Sequence, residues 1–367
     1  MNELVCLDLP LGNEFVNRIR RAWDQGDAVF PLDQRLPATA KAAMIDAIAP
    51  TLVHDGIDDT RVDGRPVEPG DAVVVATSGS SGLPKGVILT HVAIKASAEA
   101  VHGRLGVTAD DAWFACLPPA HIGGLSVVLR GLVTGTRTIV ADGFSVDAYD
   151  RAAVNGCTLV SLVPTALRRV DPSKYRTIVL GGSHPPVDRP ANCVATYGMT
   201  ETGSGIVYDG RPLDGVEIEV RDGIIHVRGP MMMRAYRNSP SVIDADGWLR
   251  TGDIGSVDAG GRLHVDGREG DLIITGGENV WPEVVEASLI THPDITDCCV
   301  VGMDDPEWGQ AVHAFVVSTR GLSLAEVRDH CKSALPSHAA PKHLHLVDAI
   351  PRTALGKPKR SELTTTA

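Results

Sequence analysis

Phosphate chemistry is concentrated in one stretch of the chain, Thr77-Ser78-Gly79-Ser80-Ser81-Gly82-Leu83-Pro84-Lys85-Gly86. Glycine lacks a Cβ, so the backbone can turn until several N–H groups converge on one anion, while the hydroxyls and Lys85 add donors. It is not a Walker loop, which places Ser or Thr directly after the lysine; here Pro84 precedes Lys85 and Gly86 follows it. Ser and Gly in this density can also make a flexible surface linker. The apolar run Val73–Ala76 argues for the phosphate reading, because it delivers the loop from a buried strand.

A loop of that kind needs rigid elements behind it. From Asp71 onward, short β-branched runs alternate with helix-like stretches. Val73–Ala76, Thr138–Ala141, Thr158–Val163, Thr177–Leu180 and Cys193–Tyr197 read as buried strands, because their apolar residues are continuous rather than alternating. Between them, His91–Leu105, Gly124–Val133 and Val146–Val154 carry Ala, Val and Leu at helical spacing. This alternation implies a parallel sheet covered on both faces, and such sheets place ligands at the carboxyl ends of their strands. The informative loops should then follow Ala76, Leu180 and Tyr197.

Past Tyr208 the texture changes. Val216–Val220 and Ile224–Val227 flank an Asp222-Gly223 step and read as a hairpin, and a second short strand pair flanks Asp258–Gly261. Beyond Arg268 comes an α+β segment, with a helix near Pro282–Thr291, strands at Cys298–Gly302 and Ala314–Ser318, and a helix at Leu324–Leu335. Ser323 and Glu326 spell a capping box at the start of that last helix. The expected fold is α/β. A large N-terminal domain, residues 1–268, should hold a parallel sheet or sheets flanked by helices plus a small antiparallel β subdomain. A small mobile α+β C-terminal domain, residues 271–367, should follow a hinge at 268–271.

Composition narrows the function classes. The 367 residues are long for one core and suit two unequal domains. Aromatics are only 4%, so Val, Ile, Leu and Ala must build the core. With 34 basic and 46 acidic residues the net charge is -12, which argues against a nucleic-acid binder but leaves room for a local phosphate site. Seven cysteines, with no C-x-x-C pair and with Cys298 and Cys299 adjacent, read as reduced, buried thiols. Met1–Pro10 lacks a signal-peptide pattern, and the runs Ala72–Ala76 and Leu125–Leu129 are far too short to span a bilayer. A soluble, cytoplasmic protein without a membrane span is expected.

Further motifs then fall in a recognisable order. Val29-Phe30-Pro31-Leu32-Asp33 with Pro37, Pro118-Pro119-Ala120-His121, Tyr197-Gly198-Met199-Thr200-Glu201-Thr202 and Gly247-Trp248-Leu249-Arg250-Thr251-Gly252-Asp253 are followed by Gly267-Arg268 and Asp271. Gly276-Gly277-Glu278-Asn279 and Pro351-Arg352-Thr353 with Gly356-Lys357 and Arg360 complete the set. Together with the Gly-rich loop, this series resembles the adenylate-forming superfamily of acyl-CoA ligases, luciferases and peptide-synthetase adenylation domains. The likeness runs from about residue 29 to 361.

The resemblance implies an ATP-dependent acid–thiol ligase that makes an acyl-adenylate and passes the acyl group to coenzyme A. ATP, Mg²⁺ and coenzyme A are the implied co-substrates and cofactor, with a small carboxylic acid as the other partner. By the same likeness, Thr77, Ser78, Gly79, Ser80, Ser81, Gly82 and Lys85 bind the phosphates, Thr200 donates to the α-phosphate and Glu201 holds Mg²⁺. Asp253 accepts the ribose hydroxyls and Arg268 supports the same sugar. Tyr197 and Gly198 with Gly181, Gly182 and Ser183 wall the adenine, and His121 lines or gates the acyl pocket. Lys357 is the implied catalytic lysine, stabilising charge that builds as the α-phosphate is attacked. After pyrophosphate leaves, the small domain is implied to swing and form a pantetheine channel at Gly276 and Gly277.

Each residue has a plainer reading. Thr-Glu at a strand end often caps a helix, Gly-Asp often makes a turn, and a lysine near Lys359 and Arg360 can be a solvated basic tail. An aromatic at a strand end is often core, and a histidine beside proline is often structural. Their joint order favours the functional reading. The chain departs from the family at Gly270, where a charged residue usually sits, at Ser80 and Ser81, and in a short N-terminal region expected to open the acyl side. Tyr208-Asp209-Gly210 and Pro212-Leu213-Asp214-Gly215-Val216, with the Tyr197–Thr202 string, resemble o-succinylbenzoate–CoA ligases of menaquinone biosynthesis. Another aryl or alkyl acid ligase, an adenylation enzyme loading a carrier protein, and a non-catalytic adenylate binder are the competing readings. A homodimer is left open.

Overall fold

Continuous apolar runs become strands covered on both faces, because helices pack on each side of a largely parallel sheet. The computed structural model describes residues 2–78, 84–182, 188–352 and 358–364. The chain divides into two compact units, one of residues 1–218 with 227–249, the other of 219–226 with 250–367.

Among the described residues, the first unit holds two seven-stranded sheets. One runs Ala235–Tyr236, Pro84–Thr90, Asp71–Ser78, Ala28–Pro31, Leu4–Leu7, Leu52–His54, Asp59–Arg61. Its central pairs are parallel, and antiparallel strands close both edges. The other runs Arg211–Pro212, Ser204–Tyr208, Cys193–Met199, Thr177–Leu180, Leu159–Leu162, Trp113–Ala115, Thr138–Val140, parallel from Cys193–Met199 onward. Helices His91–Leu105 and Ile122–Thr134 share one apolar cluster with both sheets, through Ile94, Val101, Leu125 and Leu129 against Val73, Leu89, Trp113 and Leu159. Thr90 starts the first helix by accepting the Ala93 N–H at 3.1 Å, and Gly106 ends it at φ 56°, a left-handed conformation that glycine adopts without a Cβ clash.

Five of the expected strands and three of the expected helices form near their expected bounds. Two things differ. The Gly-rich loop leads into a strand, Pro84–Thr90, antiparallel to Asp71–Ser78, so the phosphate segment joins a hairpin and not a strand to a helix. Thr77 and Ser78 are the last residues of the first strand, where the loop was expected to start at Thr77. The N-terminal strands Leu4–Leu7, Ala28–Pro31 and Leu52–His54 carry no period at three or four residues and were not read from sequence.

Most of a four-stranded sheet falls in the second unit, ordered Glu217–Arg221, Ile224–Arg228, Leu249–Val257, Leu263–Arg268. Asp222 and Gly223 join its first two strands at φ 51° and 78°, the paired positive φ of a two-residue hairpin turn. A further sheet places Gly309–Ser318 between Ile295–Asp305 and the strands Ile273–Thr275 and His343–Leu346. One face, with Val312, Ala314 and Val316, packs with Val285, Leu289, Val327 and Cys331 of helices Pro282–Leu289 and Leu324–Lys332. The capping box forms as read: Ser323 Oγ accepts from Glu326 N, and Glu326 Oε2 accepts from Ser323 N at 2.8 Å. The expected boundary at 268–271 lies inside this unit, where Glu269–Asp271 makes one 3₁₀ turn between strands.

All seven cysteines are buried and free. Burial pushes the Cys116 thiol up to about 12 and the Cys157 thiol up to about 11, so neither forms a thiolate at neutral pH. A thiol-specific colorimetric reagent should therefore find no fast-reacting thiol in the native protein and seven after denaturation. A native thiol that reacts at once would contradict this packing. No helix among the described residues is long and apolar enough to cross a membrane.

Candidate active site

The hairpin brings Lys85 beside two residues far away in sequence. Its Nζ lies 5.2 Å from the centroid of the Tyr236 ring, a cation–π approach. Tyr236 is placed by antiparallel pairing of Ala235–Tyr236 with Pro84–Thr90, where it faces Val87. Its hydroxyl donates to Glu201 Oε1 at 2.7 Å, and the Met233 N–H donates to the Glu201 carbonyl at 2.7 Å. The phenol thus fixes one carboxylate oxygen of Glu201. The other, Oε2, has no hydrogen-bond partner among the described residues. A lysine, a phenol and a carboxylate with one oxygen held and one open form a cradle of hard oxygen and positive charge. That donor set fits Mg²⁺, which takes one or two carboxylates and completes its shell with phosphate oxygens and water.

Glu201 sits on a tight turn whose glycine has no substitute. Thr200–Thr202 is a 3₁₀ turn between the strands Cys193–Met199 and Ser204–Tyr208. Buried Thr202 locks it: its Oγ1 accepts from Met199 N at 2.9 Å and lies 2.7 Å from the Ser204 carbonyl as donor. A Cβ on Gly198 would lie 2.3 Å from the Ser204 carbonyl oxygen, so only glycine lets the strands approach. The ladder shifts register between Tyr197 and Gly198, next to the turn. In the neighbouring parallel strand, Leu180 pairs with Ala195, and its carbonyl accepts from Thr196 Oγ1 at 3.0 Å. Gly181 and Gly182 follow at the same strand ends, with Gly182 at φ +86°. The first unit therefore assembles Gly181, Gly182, Tyr197, Gly198, Thr200 and Glu201 at the carboxyl ends of two adjacent strands, with Lys85 reaching Glu201 through Tyr236. Gly79, Ser80, Ser81, Gly82, Ser183 and Lys357 lie outside the described residues.

His121 is the residue before helix Ile122–Thr134. His121 Nε2 lies 2.6 Å from Arg35 Nη2 and 3.4 Å from Asp33 Oδ2. Arg35 also donates twice to buried Asp33, at 2.9 and 2.7 Å. Burial alone would raise the Asp33 carboxyl; the Arg35 guanidinium overrides it and holds the group well below the usual carboxylate range. Two motifs separated in sequence thus meet, with Asp33 and Arg35 orienting His121.

Sequence reading missed Arg130. It is 4% exposed, and its Nε and Nη1 have no hydrogen-bond partner among the described residues. Its guanidinium carbon lies 4.6 Å from the Trp113 ring centroid. No counter-ion balances it among the described residues. Burial and the nearby Arg130 charge depress His102 to about 4, leaving a neutral imidazole that accepts from Trp113 Nε1, and burial keeps the Tyr208 phenol protonated. Arg130 lines a small cavity with Ser97, Ser126 and Gly203, directly behind the turn that carries Glu201. The signal was a lone arginine inside the apolar helical run Leu125–Val133.

The second unit carries the ribose candidates. Asp253 and Arg268 are cross-strand partners, and Arg268 Nε donates to Asp253 Oδ1 at 2.9 Å. Thr251 Oγ1 donates to the Ile225 carbonyl at 2.8 Å and accepts from Asp253 N at 3.0 Å, so the Thr-Gly-Asp backbone is pinned and the carboxylate is 12% exposed. Gly276 and Gly277 form the two-residue turn between Ile273–Thr275 and Glu278–Val280, at φ 60° and 83°. A Cβ on Gly276 would meet the Trp308 ring at 2.8 Å. On the flanks of 353–357, Arg352 bonds Asp297, bridges to Pro358, and is preceded by Pro351, whose carbonyl accepts from Lys359 N at 2.8 Å. Arg360 Nη2 donates to Glu283 and Glu286, at 3.1 and 2.8 Å, and Nη1 lies 3.7 Å from Asp271.

The chain as a whole is similar to known proteins. Residues 21–237 match the family model described as AMP-binding enzyme, and residues 284–357 match the AMP-binding enzyme C-terminal domain. A probable 2-succinylbenzoate–CoA ligase of Mycobacterium tuberculosis is 37% identical over 366 residues, covering 91% of this chain and 94% of that protein. A 2-succinylbenzoate–CoA ligase of Bacillus anthracis is 35% identical over 79% of this chain and 69% of its own length. The o-succinylbenzoate CoA synthetase of Bacillus subtilis, solved with its acyl-adenylate intermediate, superposes with a TM-score of 0.89 at 28% identity, over 98% of this chain and 88% of that one. The same enzyme with ATP and magnesium gives 0.88. The chain belongs to the AMP-binding enzyme family.

Proposed function

We propose that this protein is an AMP-forming 2-succinylbenzoate–CoA ligase. The acid's carboxylate attacks the α-phosphate of ATP, expelling pyrophosphate and leaving an acyl-adenylate. The thiol of coenzyme A then attacks the acyl carbon, forming the thioester and releasing AMP and a proton. The observation that carries the reading is the Lys85–Tyr236–Glu201 cradle at the ends of strands Thr177–Leu180 and Cys193–Met199. Two anions must meet in the first step, and the barrier falls only if their repulsion is neutralised where charge builds. Lys85 supplies one positive charge toward the β- and γ-phosphates. Bound Mg²⁺ would supply further positive charge, and Glu201 is the residue that would hold it. Thr200 donates to the α-phosphate, Tyr236 keeps Glu201 oriented, and Asp253 and Arg268 hold the ribose. Lys357 serves the adenylation step, and the C-terminal segment turns about 268–271 before thioester formation, with Gly276 and Gly277 walling the thiol's path. ATP, coenzyme A and the acid are water-soluble, and the reaction is assigned to the cytoplasm.

The choice of 2-succinylbenzoate is supported by the similar ligases. This acid carries two carboxylates, and one stays charged after the other is activated. The test of the function is exchange of labelled pyrophosphate into ATP without coenzyme A. Exchange that depends on 2-succinylbenzoate is expected. Exchange with a different acid only would move the substrate, and none with any acid would overturn adenylation.

A further inference from the structure

The residue two past Tyr236 is bound to the backbone on both sides of Lys85. Asn238 Oδ1 accepts from Gly86 N at 3.0 Å, while Nδ2 donates to the Pro84 carbonyl at 2.8 Å and to the Ala47 carbonyl at 3.0 Å. A backbone N–H can only donate and a carbonyl can only accept, so these partners fix which way the amide faces. Between Tyr236 and Asn238, the Arg237 N–H donates to the Gly86 carbonyl at 2.7 Å. Gly86 thus spends its N–H on Asn238 and its carbonyl on Arg237. The approach is close enough that a Cβ on Gly86 would come within 3.0 Å of Val74 and Ile48 and 3.2 Å of Arg237.

Beyond Tyr236 the antiparallel ladder could not continue through Pro84, which has no N–H. The Asn238 side chain replaces the missing rungs. On the other side, Lys85 pairs with Thr77 in the strand Asp71–Ser78. The lysine backbone is therefore clamped between a strand and an amide, and its side chain is set across the Tyr236 ring.

We propose that Asn238 is a positioning residue that acts through Lys85, holding the lysine where it meets the β- and γ-phosphates of ATP. This rests on reading Lys85 as a phosphate ligand. The arrangement makes a prediction that a scaffold role does not. ATP carries the two phosphates Lys85 would meet, and AMP carries neither. Asn238→Ala should weaken ATP binding by about tenfold, the order expected when a charge-assisted contact loses its alignment, and leave AMP binding within about twofold. In a Lys85→Ala background the same substitution should change ATP affinity by less than about twofold, because the group it aligns is gone.

The measurement is a double-mutant cycle of ATP and AMP dissociation constants in the full chain with Mg²⁺, with the melting temperature of each variant recorded. Loss of ATP and AMP affinity in parallel, or additive effects of the two substitutions, would overturn the proposal and make Asn238 a tie for residue 47. ATP affinity untouched by Lys85→Ala would overturn it too. The assay uses no acid, so an error in the assigned substrate would show in pyrophosphate exchange and not here.

Discussion

Lys357→Ala should cut adenylation by about 10²–10³-fold, the usual cost of losing a donor aimed at developing charge. Thioester formation from a supplied acyl-adenylate should stay within about threefold of the parent. The split follows from the chemistry of the two steps. Only the first builds negative charge on the bridging oxygen and pyrophosphate; the second begins after that charge has left. The described residues that flank 353–357 are moored on both sides. Arg352 pairs with Asp297 and bridges to Pro358, and Arg360 ties the following turn to Glu283, Glu286 and Asp271. Those anchors lie in the second unit, and Asp271 lies at the proposed pivot. Rapid quench of single turnovers, started once from ATP and acid and once from synthetic adenylate, separates the steps. Equal losses in both would contradict a lysine reserved for the first.

Asp253→Ala should weaken ATP binding by about 10²-fold. Two hydroxyl-to-carboxylate bonds are lost, each worth about 1.5–3 kcal/mol before the partners rearrange. Removing the carboxylate also leaves Arg268 without the partner at 2.9 Å, so part of the cost is an unpaired guanidinium beside the sugar. A nucleotide analogue isolates the ribose part. With 2′,3′-dideoxy-ATP the parent and Asp253→Ala proteins should bind within about threefold of each other, since neither can make those bonds. Undiminished ATP affinity in Asp253→Ala would remove Asp253 from the nucleotide site.

Asp253, Glu201 and the Gly-rich loop could be singled out as candidates because the chemistry proposed for them is local. A Thr-Gly-Asp turn, a Thr-Glu step after a strand, and a run of Gly and Ser each carry their own backbone logic, and their order along the chain did the rest. Arg130, Tyr236 and Asn238 were not legible. Tyr236 gains its meaning from Glu201, 35 residues away, and Asn238 from Gly86, 152 residues away. Nothing in a short window distinguishes such a tyrosine or asparagine from a surface residue. The same limit applies to the fold. His91–Leu105 and Val146–Val154 were read from helical period, whereas Leu4–Leu7 and Ala28–Pro31 are too short to show a period and are strands because they pair with each other. Pro84–Thr90 was obscured by the loop before it; pairing with Asp71–Ser78, and not its own composition, makes it a strand.

The most direct measurement of the central claim is the nucleotide and acyl product formed from ATP, Mg²⁺, 2-succinylbenzoate and coenzyme A, followed by chromatography and mass spectrometry. The account predicts one AMP and one pyrophosphate for each 2-succinylbenzoyl-CoA, with an acyl-adenylate trapped when coenzyme A is withheld. ADP and phosphate as the products, or a thioester formed with no adenylate on the way, would contradict it.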